Sequence, residues 1–208
     1  MSPKRTRPRI PAPGIAKSPT GIQGLDEITR GGPPTGRPTL ICGSAGCGKT
    51  LMGTEFLGRG AIQFNELGVF MSFEESGDAL ADNVRSLGFD LRDLEAKKKI
   101  AIDYVYIERS EIVETGEYDL EGLFIRLENA VKSVGAKRVV LDTIGALFAG
   151  LPSQGILRSE LKRLFRWLKE HGLTAIVTGE WGEGQLTRHG LEEYVADCVI
   201  LLDLRPND

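Results

Sequence analysis

The amino-acid sequence predicts an α/β fold whose mostly parallel sheet is covered by helices on both faces. Strands that are apolar throughout alternate with amphipathic helices, which is typical of a parallel sheet buried on two sides. The chain has 208 residues, the length of one large domain. Its hydrophobic fraction of 41% and charged fraction of 26% are ordinary for a globular protein, so a sizeable core can form.

Residues 1–17 differ in composition from the rest of the chain. Five basic residues stand there among four prolines, a composition that disfavours packing and predicts a flexible tail. A solvated leader is the simpler interpretation, and a nucleic-acid-binding arm is the alternative. The formal net charge of −3 argues against a basic nucleic-acid binder over the whole surface. We therefore expect one folded domain at residues 18–208.

The first predicted element of this domain is a brief helix around Leu25 and Ile28. Ser18 or Thr20 would cap it, and the Gly-Gly-Pro-Pro run at 31–34 would end it.

Six apolar runs that follow are predicted strands. They are Thr39–Cys42, Val69–Phe73, Ile100–Ile107, Arg138–Leu141, Leu173–Val177 and Cys198–Leu202. Between them, apolar residues recur at helical spacing, and Gly88 and Gly172 follow two such stretches as stop signals. Helices are predicted at 49–63, at 78–87, from a cap at Asp119 to Val131, and at 157–168.

Residues 43–50, GSAGCGKT, form a phosphate loop between the first strand and its helix. The three glycines let the backbone turn tightly and aim its N–H groups at phosphate oxygens, and the helix N-terminus favours anions. Lys49 can reach the β- and γ-phosphates, and Thr50 offers a hydroxyl to Mg²⁺. The sequence therefore predicts a site for ATP with Mg²⁺. Its residues are Gly43, Ser44, Ala45, Gly46, Cys47, Gly48, Lys49 and Thr50.

Acidic residues end two of the predicted strands. Asp142 follows the apolar run 138–141, which places its carboxylate where Mg²⁺ would sit, although a helix-capping role also fits. The next residue is Thr143 and not an acid, so the catalytic base must come from elsewhere. We expect the second strand beside the phosphate-loop strand, so that Glu74 or Glu75 orients water against the γ-phosphate. A solvated turn or helix start is the alternative.

The fifth predicted strand ends in Thr178-Gly179-Glu180. These polar groups could sense the γ-phosphate, and a simple loop explains them equally well. Three cysteines without metal-ligand spacing fit a reducing compartment, and no apolar run is long enough to span a bilayer. We therefore expect a cytoplasmic protein with no membrane partner.

Taken together, these segments resemble the RecA-like ATPases and, among them, the KaiC family. The resemblance extends from about Thr20 to Leu202 and is more specific than the phosphate loop alone. It rests on GIQGLD at 21–26 with the glycines at 31–32, GCGKTL at 46–51, FEE at 73–75, SLGFD at 86–90, RVVLD at 138–142, RHGLEE at 188–193 and AD at 196–197.

This resemblance implies a three-layer RecA-like P-loop core that acts as an ATPase. It also implies a homohexameric ring with ATP between subunits, a role in circadian timing or signalling, and a regulatory protein partner. The residues it implies are Glu74 and Glu75 for catalysis, Thr50 and Asp142 for Mg²⁺, and Leu51 and Ser86 beside the nucleotide.

The sequence departs from the family pattern in two ways. KaiC proper has two tandem copies of this domain, and the second autophosphorylates on an adjacent Ser-Thr pair. The matching stretch here, Leu191–Tyr194, has no serine or threonine, so the chain resembles the first, ATPase copy. The family also continues into further strands whose Lys and Arg reach the neighbouring subunit's ATP. We therefore expect a C-terminally truncated copy with slow turnover.

Three alternatives to a simple ATPase follow from the same residues. One is a nucleotide-gated interaction module in which hydrolysis acts as a timer, and another is a fragment of a KaiC-type serine/threonine autokinase. The third is a RecA-type DNA recombination ATPase. That class needs a basic DNA-binding loop after Asp142, and residues 143–155 contain no Lys or Arg, which disfavours it.

Overall fold

A parallel sheet organises the computed structural model, which describes residues 14–88, 90–105, 120–148, 154–182 and 196–204. Every strand pairing among these residues is parallel. The sheet has six strands in the order β3-β2-β4-β5-β1-β6. They are β1 Pro38–Gly43, β2 Gly68–Ser72, β3 Ile100–Tyr104, β4 Arg138–Asp142, β5 Thr174–Glu180 and β6 Cys198–Leu202.

Helices pack on both faces of this sheet, which gives the predicted three-layer α/β architecture. They are α1 Leu25–Ile28, α2 Lys49–Gln63, α3 Gly77–Asn83, α4 Leu91–Ala96, α5 Glu121–Val134, α6 Ile144–Phe148 and α7 Gln154–Glu170, with a 3₁₀ turn at Arg85–Leu87. None of the helices in the described ranges is long and apolar enough to cross a membrane.

Strand β4 shows how the two cores are separated. Val139 and Leu141 pack on one face, in the core that includes residues of α5 and α7. Val140 packs on the other face, in the core that includes Phe56 of α2. All three β4 side chains are fully buried, which explains why the strand is apolar at successive positions and not at alternate ones.

The strand order differs from the expected one. β2 lies between β3 and β4, so it is not a neighbour of β1, and β4 and β5 separate the two strands. The prediction of adjacent strands was wrong because each crossover helix can carry the chain past one or more positions in the sheet. The local sequence pattern of a strand and a helix does not encode that step.

The predicted bounds are confirmed for β6 and α2, and the helices predicted after Asp119 and at 157–168 correspond to α5 and α7. The predicted helix at 78–87 divides into α3, which Ser76 caps, and the 3₁₀ turn before Gly88. Thr20 caps nothing. Its amide and hydroxyl donate to the Asp26 carboxylate at 2.8 and 2.7 Å, so Asp26 closes the loop before α1. Ser18 is no cap either, since α1 begins after Gly24.

Two short helices, α4 and α6, were not predicted, because each has only one or two turns. The predicted cap Asp119 and the end of the third predicted strand, residues 106–107, lie outside the described residues.

Arg138, the first residue of β4, is fully buried. Its Nε and Nη2 atoms lie 2.7 and 2.6 Å from a carboxylate oxygen of Glu66. The guanidinium also donates to the carbonyl oxygens of Phe56 at 3.0 Å and Pro19 at 2.9 Å. Burial lowers the pKa of Arg138, and the Glu66 carboxylate opposes that shift. One cation thus joins β4, α2 and the segment that precedes α1.

Candidate active site

The phosphate loop leaves the end of β1 and leads into α2. Gly43 has no room for a side chain, because a Cβ atom there would lie 2.5 Å from both Cys47 Sγ and the Leu202 carbonyl oxygen. Gly46 and Gly48 adopt left-handed φ angles of 75° and 95°. Such angles are costly for residues with a Cβ atom. The loop therefore needs glycine at all three positions, as predicted from the nucleotide-binding pattern.

Lys49, the first residue of α2, lies under the loop and is only 7% exposed. Its ammonium group donates to the carbonyl oxygens of Gly43 at 2.9 Å and Ser44 at 2.8 Å. The third partner is the Cys47 sulfur at 3.9 Å. Sulfur is a weak acceptor, so a phosphate oxygen can replace it at low cost. The loop therefore curls around a buried cation that keeps one weakly engaged N–H.

Thr50, the next residue, contacts the acid at the end of β4. Its hydroxyl donates to Asp142 Oδ2 at 2.8 Å. A hydroxyl has one proton and two lone pairs, so Thr50 keeps lone pairs for a cation while its O–H donates to Asp142. The two residues predicted for the Mg²⁺ side of the site, which lie 92 positions apart, are thus in direct contact.

The other oxygen of Asp142 is also engaged. Thr178, near the end of β5, donates its hydroxyl proton to Asp142 Oδ1. Thr178 is fully buried, and Asp142 is only 6% exposed. Thr178 was predicted near a strand end, but this bond was not, since only the adjacency of β4 and β5 brings the two side chains together.

One carboxylate and one hydroxyl are suited to binding Mg²⁺ together with phosphate. They are not suited to a closed metal site in which every ligand comes from the protein. In the described part of the chain, no group of three or more His, Cys, Asp or Glu side chains could hold a metal ion. Mg²⁺ usually keeps several waters and binds one or two carboxylates together with substrate phosphates. One carboxylate and one hydroxyl beside a phosphate loop match that requirement.

Glu74 and Glu75 follow β2 and lie in different environments. The Glu75 carboxylate accepts a hydrogen bond from Asn83 Nδ2 at 3.1 Å, which holds it against α3. Glu74 is exposed and forms no hydrogen bond or ion pair with other described residues. Because Phe73 donates its amide to the Asp142 carbonyl oxygen at 2.8 Å, both glutamates stand on the Asp142 side of the site.

The structure gives fewer contacts for the other residues that were predicted from the sequence. Leu51 lies in the first turn of α2 and is partly exposed. Ser86 lies in the 3₁₀ turn. The stretch Leu191–Tyr194 lies outside the described residues. The buried Thr143 hydroxyl, not singled out from sequence, has no hydrogen-bond partner among the described groups.

Comparison with known proteins gives one consistent family. A family model described as "ATPase: KaiC" matches residues 18–208. The chain is 64% identical over 189 residues to the circadian clock protein KaiC2 of Synechocystis sp., a match that covers 91% of this chain and 33% of the relative. It is 43% identical over 196 residues to the circadian clock protein KaiC3 of the same organism, covering 91% of this chain and 38% of the relative.

A third relative, the circadian clock oscillator protein KaiC of Prochlorococcus marinus, is 38% identical over 190 residues. That match covers 90% of this chain and 38% of the relative. The chain thus spans about a third of the length of the curated relatives it matches.

Proposed function

Because the chain belongs to the KaiC family of ATPases, we propose that it binds ATP with Mg²⁺ at the phosphate loop and hydrolyses the γ-phosphate bond. One observation carries the proposal: the Thr50 hydroxyl and the Asp142 carboxylate meet at 2.8 Å beside the glycine-rich loop. Titration with the non-hydrolysable ATP analogue AMP-PNP, in Mg²⁺ and in EDTA, tests it by calorimetry. Tight binding that depends on Mg²⁺ is expected.

Each residue has a distinct task in this proposal. The loop amides and the Lys49 ammonium group bind phosphate oxygens, with phosphate replacing the Cys47 sulfur as the third partner of the ammonium. Thr50 and Asp142 would hold Mg²⁺, which, when bound, offsets the charge on the β- and γ-phosphates. Glu74 orients the attacking water and accepts its proton. The structure favours Glu74 over Glu75 for this task because Asn83 already engages Glu75.

The assignment of Glu74 predicts unequal effects at neighbouring positions. Glu74→Gln is expected to lower phosphate release by about 100-fold or more, since it removes the base while retaining side-chain size. Glu75→Gln is expected to have a much smaller effect. Phosphate release at saturating Mg·ATP measures both, and AMP-PNP affinity serves as the binding control. Equal rates in the two variants would overturn the assignment.

We also propose that nucleotide controls assembly into a ring and that assembly serves circadian timing or signalling through a protein partner. Curated relatives carry circadian-clock names. Apolar side chains are exposed on the strands next to the phosphate loop. Trp181 follows β5 and is 45% exposed. Val199 and Leu201, which are also exposed, lie on β6, the neighbour of β1. This exposure also favours the second candidate function, a nucleotide-gated interaction module.

The assembly proposal predicts a mass that depends on nucleotide. Size-exclusion chromatography with light scattering is expected to give a larger particle in Mg·AMP-PNP than in ADP or without nucleotide. Glu74→Gln, run in ATP, tests whether bound ATP is sufficient for assembly without turnover. A gated module assembles without turnover, so that variant is expected to stay assembled while wild type disassembles as ATP is consumed. Identical masses under all conditions would argue against nucleotide-controlled assembly, both as a ring and as a gated interaction module.

A further inference from the structure

Among the described residues, Thr178 is a partner of the Asp142 carboxylate that the proposed nucleotide site does not otherwise use. We propose that Thr178 is a positioning residue, whose hydroxyl fixes the orientation of the Asp142 carboxylate and thereby sets the affinity of the site for Mg²⁺. The inference rests on the proposed function, because it concerns the same metal site.

The geometry makes the Thr178 hydrogen bond specific. The register of β4 and β5 pairs Leu141 with Val177, so the next residues, Asp142 and Thr178, stand side by side. The Thr178 hydroxyl has one proton and two acceptors within reach, the Asp142 carboxylate and the Leu141 carbonyl oxygen at 3.5 Å. The closer, charged acceptor accepts the hydrogen bond. Because Thr178 is fully buried, water has no ready access to replace this donor.

Two hydroxyl donors together restrain the carboxylate. The terminal torsion of an aspartate is otherwise broad. Here rotation would break the bond from Thr50 to Oδ2, the bond from Thr178 to Oδ1, or both. Without Thr178, Oδ1 would become a buried acceptor without its partner, and the carboxylate would lose one of the two described bonds that fix its orientation. Partners that orient a metal-binding carboxylate typically contribute about 10- to 100-fold in affinity or activity.

A second buried threonine in the sheet provides a matched control. Thr39 on β1 is fully buried like Thr178, but its hydroxyl has no hydrogen-bond partner in the described part of the chain. Valine has nearly the shape of threonine and lacks only the hydroxyl. Thr39→Val therefore reproduces the chemical change of Thr178→Val at a strand position that does not contact Asp142.

The test is a Mg²⁺ titration of AMP-PNP binding, followed by calorimetry. Thr178→Val is expected to raise the Mg²⁺ concentration for half-maximal binding by about 10- to 100-fold, while its AMP-PNP affinity in EDTA equals that of wild type. Thr39→Val is expected to match wild type in both. A wild-type Mg²⁺ requirement in Thr178→Val would overturn this inference alone. Absence of AMP-PNP binding by wild type would overturn the proposed function, and this inference with it.

A second pair of variants controls for the loss of side-chain packing. Thr178→Ser and Thr178→Ala both lack the methyl group and differ only in the hydroxyl. The serine variant is expected to keep the wild-type Mg²⁺ requirement, and the alanine variant to behave like Thr178→Val. Equal Mg²⁺ requirements in the two would show that the hydroxyl does not act on the metal site. Thermal melts verify folding, and this pair decides the question should Thr178→Val fail to fold.

Discussion

Lys49→Ala is expected to weaken AMP-PNP binding by about 100-fold or more. The change removes the charge-assisted hydrogen bond from the ammonium to phosphate, typically worth about 1.5–3 kcal/mol, and every 1.4 kcal/mol corresponds to about tenfold in affinity, so this bond alone accounts for about 10- to 100-fold. It also removes the donor that holds the Gly43 and Ser44 carbonyl groups, so the phosphate loop loses its internal support. Calorimetric titration in Mg²⁺ measures the loss.

Lys97 supplies the control for this change. It is an exposed lysine on the surface, paired with Asp93 at 2.7 Å, and Lys97→Ala alters the net charge by the same amount. That variant is expected to bind AMP-PNP as wild type does. Wild-type affinity in Lys49→Ala would mean that the nucleotide binds elsewhere, and the phosphate-loop assignment would then be wrong.

Arg138→Ala is expected to lower the free energy of unfolding by about 3–5 kcal/mol. The truncation leaves the Glu66 carboxylate and the carbonyl oxygens of Phe56 and Pro19 without their donor. It also empties the space that the guanidinium fills 4.5 Å from the Phe56 ring centroid. Unfolding in urea, followed by circular dichroism, measures the change.

Arg126 offers a comparison of the same chemistry at the surface. It forms two hydrogen bonds with Asp103, and that carboxylate raises the pKa of Arg126, whereas burial lowers the pKa of Arg138. Because the Arg126 side chain is 47% exposed, Arg126→Ala is expected to cost less than about 1 kcal/mol. Equal losses in the two variants would show that the Arg138 cluster adds no more than a surface ion pair.

Features that depend on neighbouring residues in the sequence were predicted correctly. The phosphate-loop motif spans eight residues and includes Gly43, Gly48 and Lys49. The loop makes the tight turn into a helix that this motif predicts. Asp142 was placed at a strand end from the five residues 138–142 alone. The contact between Thr50 and Asp142 follows from these two local predictions, because the carboxyl ends of parallel strands share one edge.

The features that were not predicted depend on distant parts of the chain. Glu74 follows β2, which neighbours β4 and not the phosphate-loop strand β1, and this placement depends on the strand order. The burial of Arg138 depends on Glu66 and Pro19, which lie 72 and 119 positions away. In the sequence, an arginine before an apolar run indicates a strand boundary. Only the packed fold shows that its partners converge there.

Strand β5 lies between β1 and β4, and the residues at its end contact both Asp142 and the phosphate loop. Thr178 holds Asp142, and three residues later the Trp181 amide donates to the Gly43 carbonyl oxygen at 3.1 Å, the same oxygen that Lys49 contacts. A cation that orders Asp142 therefore also orders the strand that supports the phosphate loop. We expect positive thermodynamic coupling between Mg²⁺ and nucleotide, in which each ligand raises the affinity for the other by the same factor.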